Sequence, residues 1–367
     1  MRDPRVENLA KILVRHSTGV KEGETCAIQG SSAGEPLMVA VYEEVLRAGG
    51  YPVVAMSFEE QSAAYLRHAS DAQLEWISPV ARWVVEECDC NIAVGAETNT
   101  RELSQVPPER QSKRRAATRS LMETSRKRAA EGSYRWVYTL FPTPAYASDA
   151  EMSLAEFEDF YFRACLADDG DPVGAWDRAS KETTRLAEWA TGREEVRVTA
   201  PGTDVRLGIA GRTFVAAAGE HNMPDGEFFT GPVEDSVEGE VTFRLPAMVG
   251  GREVSGVRLR FEGGRVVDAS AEKGESYLIE LLDTDEGARR LGELGIGTNF
   301  GIDRGTKDVL LDEKIGGTVH MAVGASYPET GGENDSAVHT DLVCDLRQGG
   351  RIEIDGEPLQ ENGTFLV

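Results

Sequence analysis

Histidine and cysteine are both scarce in this chain of 367 residues, which contains five of each. The number of cysteines is odd, the chain is long and no secretion signal precedes them, so a disulfide framework is not expected. Cys88 and Cys90 form a lone C-x-C motif without a second pair nearby, which argues against a zinc knuckle. We predict that both are small core residues.

Positive charge and long apolar runs are also in short supply. The 39 basic residues against 63 acidic ones give a net charge of −24, which repels nucleic acid and anionic lipid. No run of about 18 apolar residues suggests a membrane span. The N-terminal segment has charges among its apolar positions and lacks the apolar core of a secretory signal, which predicts a cytoplasmic protein. The one basic stretch, Arg110 to Ala130, is predicted to be a solvated helix.

The first half of the chain alternates helical and strand-like segments. The strand-like ones are "GETCAIQGS", "YPVVAMSF", "CNIAVGAE" and "YRWVYTLFPT", and their spacing predicts parallel βαβ units. No nucleotide-binding glycine motif follows them. After a helical connector, short alternating strands and glycine-rich turns dominate, with one clear helix in "GESYLIELLDTDEGARRLGE". We predict an α/β protein whose N-terminal open parallel α/β domain with its connector spans 1–190, followed by a β-rich α+β metal-site domain over 191–367.

Two of the five histidines lie close together, in "HMAVGASYPETGGENDSAVHTDL". His339 and Asp341 are two residues apart, a spacing that turns both side chains to one face of an extended segment. They could therefore share one metal ion. His320 lies in a strand-like run with small neighbours, which leaves room for a ligand. Each motif alone is weak, because a lone histidine in a strand is more often a core or surface residue than a metal ligand.

Three glutamates of the same half lie in short segments marked by glycine or proline. Glu227 follows a turn in "MPDGEFFTGP", Glu293 is predicted in a glycine-rich turn just after a helix in "LGELGIGTN", and Glu313 precedes the first histidine in "LDEKIGGTVH". A single glutamate of this kind is usually a solvated turn residue. Together with the histidines, however, they form a nitrogen and oxygen ligand set that suits zinc, cobalt or manganese and allows a carboxylate-bridged metal pair.

Several sequence blocks occur together in a specific order. The C-terminal half contains "NMPDGEFFTGP", "LGELGIGTN", "LDEKIGGTVHMAVGASYPETGG" and "HTDLV", and the N-terminal half contains "LAKILVRHSTGVKEGETCAIQG" and "FPTPAYASDAEMSLAEFEDF". This set resembles the thermophilic aminopeptidase T / aminopeptidase S family of dinuclear metallopeptidases over nearly the whole chain. The resemblance implies a two-domain subunit, a homodimer and a site that faces an enclosed cavity.

The resemblance also implies roles for individual residues. The family's metal-binding positions fall on Glu227, Glu293, His320, His339 and Asp341. A further glutamate of the family falls on Glu313, although the interval from Glu313 to His320 is longer than in the best-known members. The tyrosine of the family falls on Tyr327.

The reaction implied by the resemblance is removal of N-terminal residues from peptides. Two divalent ions would bind the peptide and activate a water molecule. Glu227 or Glu293 would act as the general base, and the sequence leaves open which of them bridges the metals. Tyr327 would donate a hydrogen bond to the tetrahedral oxyanion.

Two other functions are compatible with parts of the pattern. Proteins similar to this family look like mononuclear iron(II) dioxygenases that open dihydroxypyridine rings, and they need only the triad available here as His320, His339 and Asp341. The presence of both Glu227 and Glu293 favours the peptidase. A non-catalytic binding protein is the other alternative, but it would be expected to have lost ligands, and none is missing.

Overall fold

The computed structural model describes residues 3–249 and 252–367, which form two compact units. Unit 1 contains the chain up to Asp177 together with Gly219–Pro224, and unit 2 contains Arg178–Ala218 and Asp225–Val367. The sequence did not indicate that a short segment returns to the first unit. The proposed boundary near residue 190 stays a prediction.

The helices lie mainly in the first half of the chain. Among the described residues the α-helices are α1 (Pro4–Lys11), α2 (Glu35–Arg47), α3 (Gln61–His68), α4 (Asp71–Glu75), α5 (Pro79–Glu87), α6 (Pro108–Ala130), α7 (Pro144–Asp149), α8 (Leu154–Ala164), α9 (Pro172–Ala190), α10 (Glu275–Leu282) and α11 (Val309–Asp312). Local signals explain where several of them begin. Ser153 and Glu156, for example, form a capping box at the start of α8. None of the described helices has the length and apolar composition needed to cross a bilayer.

Most strands lie in the second half. Among the described residues they are β1 (Thr25–Ser31), β2 (Tyr51–Ser57), β3 (Cys90–Gly95), β4 (Arg135–Leu140), β5 (Glu195–Ala200), β6 (Thr203–Gly208), β7 (Val215–Ala217), β8 (Asn222–Met223), β9 (Glu227–Thr230), β10 (Glu238–Phe243), β11 (Ala247–Val249), β12 (Arg252–Val254), β13 (Val257–Glu262), β14 (Arg265–Ser270), β15 (Leu291–Gly297), β16 (Thr318–Gly324), β17 (His339–Asp345), β18 (Arg351–Ile354), β19 (Glu357–Glu361) and β20 (Thr364–Phe365).

Unit 1 is built on a parallel sheet with the strand order β2-β1-β3-β4-β8. This arrangement confirms the predicted open parallel α/β sheet. Cys88 and Cys90 are both fully buried free thiols, as predicted. The basic stretch forms α6, none of whose residues is buried, so its charges are solvated as the sequence indicated.

Unit 2 is dominated by antiparallel sheets. One has the order β14-β13-β10-β6-β5-β18-β19-β20, and the other, here called the site sheet, has the order β17-β16-β15-β9-β7. Strand β13 reads "VRLRFE" and alternates strictly between buried and exposed residues, as expected for a strand with one face in the core. The core of unit 2 includes Leu294, Met321 and Leu342, which are paired across β15, β16 and β17 of the site sheet.

Two local predictions in unit 2 were wrong. The helix predicted from residue 274 onwards ends at Leu282, so α10 is less than half as long as the quoted segment. Glu293 lies inside strand β15 and not in a turn after a helix. All seven residues of β15 are buried, so the strand lacks the polar–apolar alternation by which half-exposed strands are recognised.

Candidate metal centre

The register of the site sheet places candidate ligands from three strands on one face. Along β15, Glu293, Gly295 and Gly297 alternate with core residues and therefore point to the same side. His320 of β16 is paired with Gly295, and Glu227 of β9 is paired with Gly297. Because directly paired residues project to the same side, His320 and Glu227 join Glu293 on the face that points away from the core.

Strand β17 adds two more candidates to this face. Asp341 and Glu293 are both paired with Ala322, whose small side chain separates them. His339 is two residues before Asp341 on the same strand, so its side chain has the same direction. The predicted geometry of the His339 and Asp341 pair is therefore present.

Gly295 is required for this arrangement. A Cβ atom at Gly295 would overlap the imidazole ring of His320, which lies across the glycine. The His320 side chain is fully buried. The glycine-rich sequence of β15 thus creates the space in which the histidine lies.

Glu293 lies between the two histidines and presents one oxygen atom to each. Its Oε1 is 3.3 Å from His320 Nε2, and its Oε2 is 3.2 Å from His339 Nε2. Two groups with ligand atoms within 4.8 Å of one another share this carboxylate: one joins it with Glu227 and His320, the other with His339 and Asp341. One carboxylate is therefore common to two adjacent sets of donors.

Backbone carbonyls fix the tautomers of both histidines. His320 Nδ1 lies 3.1 Å from the carbonyl oxygen of Glu313, and His339 Nδ1 lies 2.9 Å from that of Ala325. Since a carbonyl oxygen only accepts hydrogen bonds, Nδ1 must be the donor in each case. In a neutral ring the lone pair is then on Nε2, the atom that faces Glu293, which is the usual arrangement of metal-binding histidines.

Glu313 follows the end of α11, and the next residue, Lys314, is a buried lysine. Lys314 is 1% exposed, and its Nζ donates a short hydrogen bond to Glu227 Oε1. The same Nζ is 2.7 Å from Glu313 Oε1 and 3.6 Å from Asp225 Oδ1. Glu313 also forms a third group of potential ligands, with His320 and Asp341. The structure thus brings together all six candidate ligands predicted from the sequence.

The pKa values reflect the excess of carboxylates. Burial alone would lower the pKa of His320, but the charge of Glu227 and the contact with Glu293 raise it to about 10. Burial likewise opposes protonation of His339, yet the hydrogen bond to Glu293 and the charge of Asp341 raise its pKa to about 9. The same surroundings that favour protonated imidazoles also favour a bound cation.

The carboxylates themselves differ. Burial raises the pKa of Glu227 even though Lys314 and His320 oppose the shift. Burial and the charge of Glu313 raise the pKa of Asp341. Burial lowers the pKa of Lys314, but the charges of Glu227, Glu313 and Asp225 outweigh this effect and raise it well above its ordinary value. Lys314 is therefore a buried positive charge that only partly neutralises its neighbours.

Two buried oxygen atoms test whether this donor set fits a metal. Glu227 Oε2 and Asp341 Oδ1 are inaccessible to solvent and accept no hydrogen bond from the described residues. Each of them faces an imidazole nitrogen, His320 Nε2 at 3.5 Å and His339 Nε2 at 3.7 Å, which is too far for a normal hydrogen bond, and leaving buried oxygens so poorly paired is costly in a folded protein. Carboxylate oxygens and imidazole nitrogens are the ligands that zinc, cobalt and manganese accept, so the residues present fit divalent cations.

Tyr327 lies at the rim of this cluster, before β17. Its ring is 5.1 Å from the His339 ring and 5.4 Å from the Phe229 ring, centroid to centroid. Burial and the charges of the cluster, foremost Glu293, raise the pKa of its hydroxyl, so Tyr327 is a hydrogen-bond donor at neutral pH. The residue is 39% exposed and is thus accessible to a ligand.

The sequence did not indicate Lys314, Asp225 or Gly295 as functional residues. A lysine directly after Glu313 has no local feature that reveals its burial, because its nearest partner is 87 residues away in the chain. The only available signal was the alternation of Gly295 and Gly297 in "LGELGIG", which is typical of a strand that another group approaches closely.

Comparison with known proteins identifies the family. The family model of thermophilic metalloproteases, M29, matches residues 2–365. The chain belongs to this family. It is consequently an enzyme, a metallopeptidase and hydrolase, and the family implies that it uses divalent metal.

Individual relatives of this M29 member agree in sequence and fold. Aminopeptidase T of Thermus thermophilus is 28% identical over 399 residues, which cover 98% of this chain and 95% of the relative. The solved structure of wild-type AmpT from Thermus thermophilus matches with a TM-score of 0.85 at 26% identity, over 99% of both chains. The 2,5-dihydroxypyridine dioxygenase of Pseudomonas putida KT2440 matches with a TM-score of 0.58 at 14% identity, over 99% of this chain and 97% of that one, which shows a shared fold only.

Proposed function

We propose that this protein is an aminopeptidase that removes N-terminal residues from peptides with the help of two divalent cations. The observation that carries the proposal is the position of Glu293, whose two oxygen atoms face different histidine Nε2 atoms at 3.3 and 3.2 Å. A carboxylate in this position can bridge two ions. Membership of the M29 family and the similarity to aminopeptidase T support the peptidase reaction.

The residues divide into two sets around this carboxylate. His320 would complete the first ion site, and His339 and Asp341 the second, with Glu293 common to both and Glu227 beside the first site. Glu313 is close enough to His320 and Asp341 to serve as a further ligand. When bound, two divalent cations would polarise the carbonyl of the first peptide bond and increase the acidity of the attacking water. Zinc, cobalt and manganese all suit this donor set.

The protein side chains would have separate roles in the reaction. Glu293 has both oxygens directed at the histidines, so it is poorly suited to accept a proton. Glu227 has Oε1 held by Lys314 while Oε2 accepts no hydrogen bond from the described residues. We therefore assign Glu227 Oε2 as the general base for the attacking water. The hydroxyl of the partly exposed Tyr327 would donate a hydrogen bond to the developing oxyanion.

The ring-cleaving dioxygenase remains the alternative to be tested. It needs only His320, His339 and Asp341, and it gives no role to Glu227 or Glu293. Both glutamates lie within the same cluster, with 5% and 4% exposure respectively. Glu227 is paired with Lys314, whereas Glu293 faces the two histidines. Once both histidines bind a metal ion in their neutral form, the buried charge of Glu293 needs a cation as its partner, which favours the two-ion peptidase. A homodimer and a cytoplasmic location stay predictions.

Metal analysis combined with substrate assays distinguishes the two reactions. We expect two divalent ions per chain after loading with zinc or cobalt, and release of the amine from aminoacyl anilides. One iron per chain, with oxygen uptake on 2,5-dihydroxypyridine and no anilide hydrolysis, would refute the proposal. Glu293→Gln should abolish hydrolysis and reduce the metal content while the circular dichroism spectrum is unchanged. Glu357→Gln, at a glutamate whose side chain is 65% exposed, is the matched control.

A further inference from the structure

Exposed apolar side chains of α2 and β2 form a patch, here called the edge patch, on unit 1. Helix α2 contributes Val39, Tyr42 and Leu46, whose spacing of three and four residues places them in one stripe along the helix. Strand β2 contributes Val54 and Met56. The five residues are between 38% and 52% exposed. Apolar surface of this extent is uncommon on a monomeric protein and usually marks an interface.

The two β2 residues of the edge patch lie on the face of the sheet that α2 covers. A Cβ atom at Gly30 of β1 would lie 2.9 Å from Met38 Sδ, so α2 packs on the face to which Gly30 points. Gly30 is paired with Met56, and Val54 is two residues before Met56. Both therefore point to that face. Their exposure shows that α2 leaves this margin of the sheet uncovered.

The apolar stripe of α2 is turned toward the same margin. On its other flank, about 150° around the helix from the stripe, α2 buries Ala40 and Glu44. Glu44 pairs there with Arg15, at 2.5 Å, in the helical segment Ile12–Ser17. This segment also contacts β4, which lies on the opposite side of β1 from β2. The stripe therefore faces the β2 side of the sheet.

Strand β2 is the open edge of this sheet, and no other strand of the described residues pairs with its outer side. The Tyr51 amide donates a hydrogen bond to the Glu24 carbonyl, on the β1 side. Because amides alternate in direction along a strand, those of Val54 and Met56 point outwards. Pro52, which has no N–H, occupies the outward position before them, as is usual for proline in edge strands. No charged residue interrupts β2, so the edge lacks a common protection against pairing.

We infer that the edge patch and the open edge of β2 form an interface with a second copy of this chain, related by a two-fold axis at Ala55. The β2 strands of the two copies would pair antiparallel, with Val54 opposite the partner's Met56. The outward amide and carbonyl groups of both residues would then be hydrogen-bonded. The two α2 helices would lie on the same face of the joined sheet, where their apolar stripes bury each other.

Two observations favour a second copy over a different partner. A two-fold axis runs the α2 helices of the two copies antiparallel, and α2 has Glu35 in its first turn and Arg47 in its last. Each Arg47 would thus lie toward the partner's Glu35, which makes the surface complementary to itself. The net charge of −24 makes most of the surface repel another copy, whereas the edge patch carries no charge. The inference does not depend on the proposed reaction, and it assigns a surface to the predicted homodimer.

Sedimentation velocity of the full chain and its variants tests this interface. We expect the wild-type protein to be a dimer. Val54→Lys would place two like charges about 7–8 Å apart across the axis, so it should raise the dissociation constant of the dimer about 100-fold or more. The matched control is Val267→Lys, because Val267 is also 45% exposed and lies on β14, at the edge of another sheet. A monomeric wild-type protein, or a Val54→Lys variant that dimerises normally, would overturn the inference.

A cysteine at Ala55 tests the position of the axis. In the inferred register Ala55 faces its own copy in a non-hydrogen-bonded pair, whose Cα atoms are about 4.5 Å apart, within the range of a disulfide. Oxidised glutathione takes up the two electrons and two protons of two thiols, so it should link Ala55→Cys into a covalent dimer on a non-reducing gel. Val267→Cys should stay unlinked, and the native cysteines are buried. Circular dichroism should be unchanged in each variant. A folded Ala55→Cys protein that forms no covalent dimer would overturn the inferred pairing.

Discussion

Replacing Lys314 with methionine removes the lysine whose ammonium group forms ion pairs with the carboxylates of both Glu227 and Glu313. Methionine has nearly the same length and no charge. In the metal-free protein the buried carboxylate of Glu227 and the half-buried carboxylate of Glu313 would then lack this partner. Breaking a buried ion pair by removing one member costs about 3–5 kcal/mol. We expect a loss of this size in the free energy of unfolding.

Divalent metal should reduce this loss. A cation that binds only the folded protein stabilises it by about 4 kcal/mol when present at 1,000 times its dissociation constant. The ions would also replace the positive charge that the variant lacks. The difference between wild type and Lys314→Met should therefore be large in the presence of a chelator and much smaller in saturating zinc or cobalt.

Urea unfolding followed by circular dichroism measures both values. The matched control is Lys113→Met, because Lys113 also pairs with two carboxylates, Asp71 at 3.2 Å and Glu75 at 3.0 Å, but is 33% exposed in its side chain. Solvent screens ion pairs at such exposed positions, so they contribute little to stability. Equal losses for the two variants, or a Lys314→Met loss that metal leaves unchanged, would refute the reasoning.

Two further variants test individual contacts in unit 2, the first in the metal cluster and the second at Asp285. Gly295→Ala should push the ring of His320 away from Glu293 and weaken metal binding about 10–100-fold by calorimetry, whereas Gly170→Ala, where a Cβ meets nothing within 4 Å, should bind metal normally. Asp285 accepts a 2.7 Å hydrogen bond from the Ala337 amide, which is the main cause of its lowered pKa, so Asp285→Ala should cost about 1 kcal/mol at pH 7. Because the folded-state pKa is depressed, this contribution is complete above about pH 4 and is lost as the pH falls further, so the stabilities of wild type and variant should converge in urea titrations at pH 2–3. A difference that persists there would contradict the assignment.

Much of the fold could be predicted because the relevant patterns are local. The alternation of helical and strand-like segments predicted the parallel sheet of unit 1, because neighbouring parallel strands need a crossover connection, which is usually a helix. The two-residue spacing of His339 and Asp341 predicted that both side chains lie on one face of the strand. This pattern is also local, because the direction of side chains along a strand depends only on that strand.

The position of Glu293 was predicted wrongly and the role of Lys314 was not predicted, because both are set by interactions between distant segments of the chain. Glu293 was predicted in a turn because glycine is frequent around it, but in β15 one of these glycines, Gly295, allows close approach of His320. The buried Lys314 donates a hydrogen bond to Glu227, which is 87 residues earlier in the chain and is positioned by strand pairing. Neither contact produces a repeating pattern in the sequence. Predicting either of them would have required the strand register of the site sheet.

The fold by itself does not distinguish the candidate reactions, since a dioxygenase of 14% identity shares it. The two histidines and Asp341 are sufficient to bind one ion. In this protein, further charged residues lie beside that triad. Glu293 offers a separate oxygen to each histidine, and Lys314 holds only one of the two oxygens of Glu227. An additional carboxylate between the histidines favours binding of a second cation, because its negative charge offsets the repulsion between two ions placed close together. We therefore expect the number of bound ions, and with it the reaction, to follow from Glu293 and Glu227.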